Sequence, residues 1–568
     1  MKNTYLIILF ILVTSCNGQT TRKSYVNYEE SSKLELTNLK SQTIENLELL
    51  GYVWGFLKYH HQNVAEGNFN WDFELFEILP NYTTATTTAQ RDKILLEWIN
   101  SLGNIDTNEP SQTNPESIKL KPNFNWIHNY QMSDQLKEKI KYIYDNRNQG
   151  KHHYIKMTSY IGNPIFINEA DYKNIVYPDN GFSILTLFRY WNAINYFYPY
   201  KHLTDKDWDL VLKEYIPIFL NIKNELEYEL AILKLISEIN DSHANIIKGG
   251  DKITDWYGNY HSSVIVSFIE NKLVVTDFYD PNLNKSELKI GDEILEINGE
   301  SICDIVEKLN PYVSASNEPT ILRKIASNIL RSNSQNLTLK LMTTNGEKNT
   351  ILALYEHSEI QREKWVKKVT SNKYRVLNEN IGYIPVVSVN DGEIKSIMKS
   401  FKDTKGIIID LRNYPNTTDL LYKLVPYFMS SKKEFAMFSK GNINHPGEFV
   451  LTEPLKFSKN KRFYTGKLIV LVNEYSQSLA EYMTMAYQTG HNTTILGSTT
   501  AGADGDVSYL DLPGGIKTII TGIGVYYPNG NETQRIGITP DIIVTPTVEG
   551  IRNKKDELLD KAIELVLK

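Results

Sequence analysis

The stretch Leu468-Ile469-Val470-Leu471-Val472-Asn473-Glu474-Tyr475-Ser476-Gln477-Ser478-Leu479-Ala480-Glu481 decides how the C-terminal part of this chain folds. Its first half is a near-continuous run of leucine and β-branched residues, the pattern of a strand buried on both faces of a sheet. A polar turn follows, and a helix runs from Leu479 to Gln488. The same rhythm extends to either side. Gly382-Tyr383-Ile384-Pro385-Val386-Val387 and Gly406-Ile407-Ile408-Ile409-Asp410-Leu411 are strand-like, another strand runs from Thr494 to Gly497, and Lys554 to Leu567 is an amphipathic helix. Strands alternating with helices predict an α/β layer structure over residues 358–568.

Upstream the pattern changes twice. Over residues 258–357 it consists of short β runs, among them Ser263-Val264-Ile265-Val266, Lys272-Leu273-Val274-Val275-Thr276 and Leu337-Thr338-Leu339-Lys340-Leu341. The segment Leu288-Lys289-Ile290-Gly291-Asp292-Glu293-Ile294-Leu295-Glu296-Ile297-Asn298-Gly299 resembles the core signature of PDZ domains, which add a peptide as a strand to a sheet edge and capture its C-terminal carboxylate on backbone amides. Residues 33–257 read as mainly helical, in two parts, 33–180 and 181–257. The parts share a spacing: Trp54 to Trp71 and Trp54 to Pro80 match Trp191 to Trp208 and Trp191 to Pro217. A duplicated helical unit is the expectation, and only the second copy continues into Asn240-Asp241-Ser242-His243-Ala244. Residues 105–125, rich in Asn, Pro, Ser and Thr, read as a long exposed connection.

A chain of 568 residues with 41% hydrophobic and 23% charged residues has the make-up of a folded protein of several domains. The net charge of −6 is not gathered into runs, which argues against a nucleic-acid partner held through its phosphates. The first 260 residues are crowded with aromatics, chiefly a signature of helix packing. At the N-terminus, Lys2 and the apolar run Tyr5 to Val13 form an export signal too short to span a membrane. Leu12-Val13-Thr14-Ser15-Cys16 resembles the lipobox of bacterial lipoproteins. That resemblance implies a signal peptide over 1–15, a diacylated Cys16, a tether over 16–32 and a protein lipid-anchored in the bacterial cell envelope. Cys303 is then left without an intrachain partner.

Two groups stand out for chemistry. Ser478 sits where a buried strand turns into a helix, so free backbone N–H groups and the helix dipole favour a developing anion beside it. Ser478-Leu479-Ala480-Glu481 also fits a helix capping box, a purely structural reading. His243 supplies an imidazole that can activate such a serine. No metal or nucleotide signature competes, because His60-His61 and His152-His153 lack further ligands at suitable spacing and Gly522-Ile523-Gly524 lacks a third glycine. No cofactor is expected.

The order of these motifs extends the argument. A helical region, Asp-Ser-His-Ala, a PDZ module, the Asp410-Leu411-Arg412-Asn413-Tyr414-Pro415 strand end, the Ser478 turn and Gly537-Ile538-Thr539-Pro540-Asp541 together resemble the C-terminal-processing, or tail-specific, serine peptidases. Within that family the chain is more similar to the branch of tricorn protease and the interphotoreceptor retinoid-binding proteins. The resemblance implies a multidomain α+β protein: a helical N-terminal region, a PDZ-like β domain and a crotonase- or Clp-protease-like α/β catalytic domain. It implies Ser478 as nucleophile in place of Ser476. Where the processing peptidases carry a lysine base, this chain has Ala503, so His243 is the implied base, with Ser242 and Gln534 orienting it. Gln534 departs from the glutamate of the tricorn-like pattern; it can donate a hydrogen bond but offers no negative charge, and Glu532 lies close in sequence. The implied oxyanion donors are the amides of Leu479 and Asn416. The expected activity is hydrolysis of polypeptides, with the substrate's C-terminus at the PDZ-like domain. The competing expectations are a catalytically inactive protein binding a peptide or apolar ligand on the same scaffold, and an envelope scaffold joined to partners through its PDZ module.

Overall fold

The computed structural model describes residue 23 and residues 25–36, 40–109, 114–370 and 373–568. The expected signal peptide, Cys16 and half of the tether lie outside the described residues. Among the described residues, no helix is long and apolar enough to cross a membrane.

The helical region is built around two matching sets of three helices, α1 (Ser41–His60), α2 (Trp71–Tyr82) and α3 (Thr88–Ser101), then α4 (Asn180–Phe197), α5 (Trp208–Leu220) and α6 (Glu225–Ser237), with a further helix over Asp134–Asp145 between them. The starts of α2 and α5, and of α3 and α6, are capped alike. Asn70 accepts from the Phe73 N–H and Asp207 from that of Asp209; Thr87 accepts from Gln90 and Asn224 from Glu227. α1 and α4 are buried on every side along most of their lengths, which makes them the centre of the region. The repeated tryptophans explain the shared spacing. The Trp54 and Trp71 indole N–H groups donate to each other's backbone carbonyls at 3.2 and 3.0 Å, and Trp191 and Trp208 do the same at 2.8 and 3.1 Å. Both pairs are stacked, with ring centroids 6.3 and 6.4 Å apart. The two sets share a single hydrophobic core, so the expected break at 180/181 does not separate independent bodies. Part of the expected exposed connection is ordered against the C-terminal region: Ile118–Leu120 pairs with Phe449–Leu451.

After α6 the chain passes through the Ser242-His243 turn into β1 (Asn245–Lys248). The next module is a six-stranded sheet in which β2 (Val264–Ile269), β3 (Lys272–Phe278), β4 (Glu293–Ile297), β5 (Asn336–Thr343) and β6 (Gly346–Ala353) run in the order β6-β5-β4-β3-β2, and the short strand Glu300–Ser301 pairs with β4. Helices α7 (Ile302–Leu309) and α8 (Glu318–Ala326) close its core.

The C-terminal region contains β7 (Arg375–Leu377), β8 (Ile381–Pro385), β9 (Gly406–Asp410), β10 (Lys467–Val472), α9 (Leu479–Gln488), β11 (Thr493–Gly497), β12 (Val507–Leu512), β13 (Ile516–Thr521), β14 (Ile542–Ile543) and α10 (Glu557–Leu567). Its main sheet runs β7-β8-β9-β10-β11-β14, parallel except for β7. β10 is therefore interior, as its unbroken apolar run demands, and Leu468 to Val472 are buried. A second, antiparallel sheet, β12-β13-β1, does the decisive joining. β1 pairs with β13, so the turn carrying His243 is stitched to the C-terminal region. Leu510, Leu512, Ile516 and Ile520 on the inner face of that sheet enter the helical core.

Candidate active site

Ser478 closes the polar turn between β10 and α9 with a left-handed backbone, φ 55° and ψ −118°. That conformation matches the first central position of a type II′ turn, which glycine normally fills. An ordinary N-cap is extended. The capping-box pairing of Ser478 with Glu481 is present all the same, the Ser478 N–H donating to Glu481 Oε2 at 3.1 Å. The Leu479 N–H, first in the helix, meets no acceptor among the described residues.

The turn is fixed from both sides. Ser476 is buried and structural: its Oγ donates to the Leu411 carbonyl at 2.8 Å and accepts from the Asn473 N–H. The Ser478 N–H also reaches the Ala503 carbonyl at 2.9 Å. The buried Glu481 carboxylate takes four donors, the Thr500 hydroxyl at 2.5 Å and the amides of Gly502, Ala503 and Ser478 at 2.8, 3.1 and 3.1 Å. Burial still pushes its carboxyl up to about 7.

The same loop receives the histidine turn. Ser242 Oγ donates to the Ala501 carbonyl at 2.8 Å, while the Ala501 N–H donates to the Ser476 carbonyl at 2.9 Å. Ser242-His243 and Ser476-Ser478, far apart in sequence, thus grip one short segment. His243 Nδ1 lies 2.8 Å from Thr521 Oγ1 and 3.8 Å from Asp241 Oδ1. The ring makes no hydrogen bond to Ser478, and its Nε2 has no hydrogen-bond partner among the described residues. Burial holds the imidazole below its ordinary value, against the opposing pull of Asp241.

Three sequence expectations change here. Ser242 does not touch the imidazole; its hydroxyl bridges the Ala501 carbonyl and the Ser316 N–H, both at 2.8 Å. Gln534 is buried, but its Nε2 faces Asp241 Oδ1 at 3.4 Å and Ser316 Oγ at 3.3 Å, one residue removed from the ring. Asn416 is exposed and its amide already donates to the Val386 carbonyl at 3.3 Å, because the residues after β9 fold back on the end of β8. Glu532 pairs with His202 and Lys119 instead of standing in for Gln534.

What sequence reasoning missed is the group that does meet the imidazole. Thr521 ends β13 and carried no motif. Asp241 lay within the quoted motif but was given no role. It is fully buried and accepts from the backbone N–H of His243 at 3.0 Å and of Thr521 at 2.8 Å. The negative charge that Gln534 lacks is therefore present, two residues from the histidine.

Comparison with known proteins finds matches for two regions of the chain. Residues 380–544 match the model of peptidase family S41, and residues 263–367 match that of the PDZ domain. The chain is 28% identical over 188 residues to a carboxy-terminal-processing protease of Bartonella bacilliformis, covering 31% of this chain and 41% of that protein. It is 21% identical over 352 residues to the carboxy-terminal processing protease CtpB of Bacillus subtilis, covering 60% and 67%. The match thus spans only about two fifths of the length of the first of these curated relatives. Mature CPAF, solved in complex with lactacystin, superposes with a TM-score of 0.53 at 17% identity over 68% of this chain and 98% of that one, which shows a shared fold. By sequence, then, residues 380–544 match peptidase family S41, preceded at residues 263–367 by a match to the PDZ domain.

Proposed function

We propose that this protein is a serine-type peptidase that hydrolyses polypeptides, with Ser478 as nucleophile and His243 as base. The observation that carries the reading is the Ser478 backbone. A capping serine has no need of φ 55°, whereas a nucleophile raised on a strand-to-helix turn uses such strain to present its hydroxyl. With Nδ1–H donating to Thr521 Oγ1, the lone pair of His243 lies on Nε2. That nitrogen takes the Ser478 proton as Oγ attacks the scissile carbonyl carbon, and returns it to the leaving amine. Water, deprotonated in the same way, then releases the acyl group. Asp241 stabilises the transient imidazolium, and the Leu479 N–H holds the oxyanion. Asn416 contributes a second donor only if its amide releases Val386. The PDZ domain recruits the substrate, a polypeptide offering its C-terminus. Cys16 anchors the protein by lipid in the bacterial cell envelope; its lipobox-like sequence is the support for that placement.

A fluorophosphonate probe tests the chemistry, since labelling requires an activated hydroxyl. Wild type should label at Ser478 and cleave an unfolded protein, and Ser478→Ala should do neither while melting within a few degrees of wild type. Ser478→Gly should be equally inert yet more stable than Ser478→Ala by about 1 kcal/mol, because glycine adopts this backbone without strain. An unlabelled but well-folded wild type would favour the inactive ligand-binding protein.

A further inference from the structure

Helix α8 belongs to the PDZ domain, yet consecutive residues leave it in three directions. Ile325 is buried in the PDZ core. Arg323 reaches the nucleophile turn, donating to the Glu474 carbonyl at 2.5 Å and to Gln477 Oε1 at 2.9 Å, with its guanidinium over the Tyr475 ring. Lys324 reaches the histidine turn, its Nζ donating to the Ser242 carbonyl at 2.9 Å and the Ser314 carbonyl at 2.6 Å. Neighbouring helix residues point about 100° apart, so one turn of α8 spans both halves of the site. Its cap joins in: Asn317, which accepts from the Thr320 N–H, donates to the Thr500 carbonyl at 2.9 Å.

We infer that Lys324 is a positioning residue for His243, supplied by the PDZ domain: it fixes the Ser242–His243 peptide through the Ser242 carbonyl and sets a positive charge against formation of the imidazolium. This rests on the reading of Ser478 and His243 as the reacting pair. A neutral donor would satisfy two carbonyls equally well, whereas an ammonium group that burial brings down to about 8 is a costly choice for a mere brace. Its charge acts on the ring. The charged groups facing His243 are Asp241 on its own turn, Asp506 just before β12 and Lys324 on α8; both carboxylates favour the protonated ring, while Lys324 and burial disfavour it. Thr521 Oγ1 faces it from β13. Lys324 thus offsets the carboxylates and leaves the base free at neutral pH.

The test is the rate of fluorophosphonate labelling of Ser478 against pH in the full chain. Labelling needs neutral His243, so the rate falls on the acid side as the ring protonates. Lys324→Gln keeps a donor for the Ser242 carbonyl but removes the charge, and should move that acid limb to higher pH. Lys324→Arg should leave the limb where wild type has it. Lys324→Met removes donor and charge together, and should slow labelling at its pH optimum on the order of 100-fold, the scale of a misplaced catalytic group. An acid limb shared by wild type and Lys324→Gln overturns the inference, as does a Lys324→Met protein labelling at the wild-type rate. If Lys324→Met fails to fold, judged by its melting curve, the Gln and Arg variants still decide the question. A wild type that never labels sinks the peptidase reading itself, a different failure from a labelled wild type whose limb ignores Lys324.

Discussion

At the scale of single residues, Asp241 governs how the imidazole is held. Its carboxylate ties the backbone of His243 to that of Thr521 and stands 3.8 Å from the ring, so it combines the bracing and electrostatic roles that the resemblance divides between Ser242 and residue 534. A glutamate at 534 would bring a second buried negative charge against Asp241, which Gln534 now meets with an amide N–H at 3.4 Å. Gln534→Glu should therefore not restore a stronger catalyst. We expect a lower melting temperature and no gain in kcat, because two like charges so close force one carboxyl to stay protonated. A clear rise in kcat with unchanged stability would show that Asp241 is not the operative charge. Part of this was legible in the sequence: Asn240-Asp241-Ser242-His243 marks the turn. The direction of each side chain was not, since a turn of four polar residues does not reveal which one faces the base.

At the scale of elements, the helical scaffold rests on a rule used twice. Each tryptophan pair exchanges indole N–H bonds with the partner's carbonyl, so replacing one indole removes a buried donor and strands a carbonyl. Trp54→Phe and Trp191→Phe should each destabilise the protein by about 2 kcal/mol, within the usual cost of an unsatisfied buried group. Chemical denaturation measures this, and a large effect from only one of the two would contradict a shared structural role. The duplication was readable because a helix's period is local: equal spacing of Trp and Pro survives in one dimension. The fate of the residues after each third helix was not, because β1 forms only by pairing with β13, almost at the other end of the chain.

At the scale of the whole molecule, three histidines of the N-terminal region, His60, His61 and His152, are buried. Burial lowers His60 to about 3 and His61 and His152 to about 4. All three are bases whose folded values lie below the ordinary 6.5, so the unfolded chain binds protons first. The folded state is then disfavoured progressively as pH falls from about 6.5 toward 4, each histidine adding a slope of at most about 1.4 kcal/mol per pH unit. The melting temperature should drop through that window, and His61→Leu should flatten the fall; an equally steep fall in the variant would remove His61 from the account. The sequence by itself determined the buried strand, the serine turn, the order of modules and the repeated helical unit, because each is written in local periodicity or in motif order. Only the tertiary structure decided that Thr521 and Asp241 hold the imidazole, that the Asn416 amide is already engaged and that a PDZ helix reaches both halves of the site. Those facts depend on strand register and on the direction of side chains across contacts between distant segments, which no local pattern encodes.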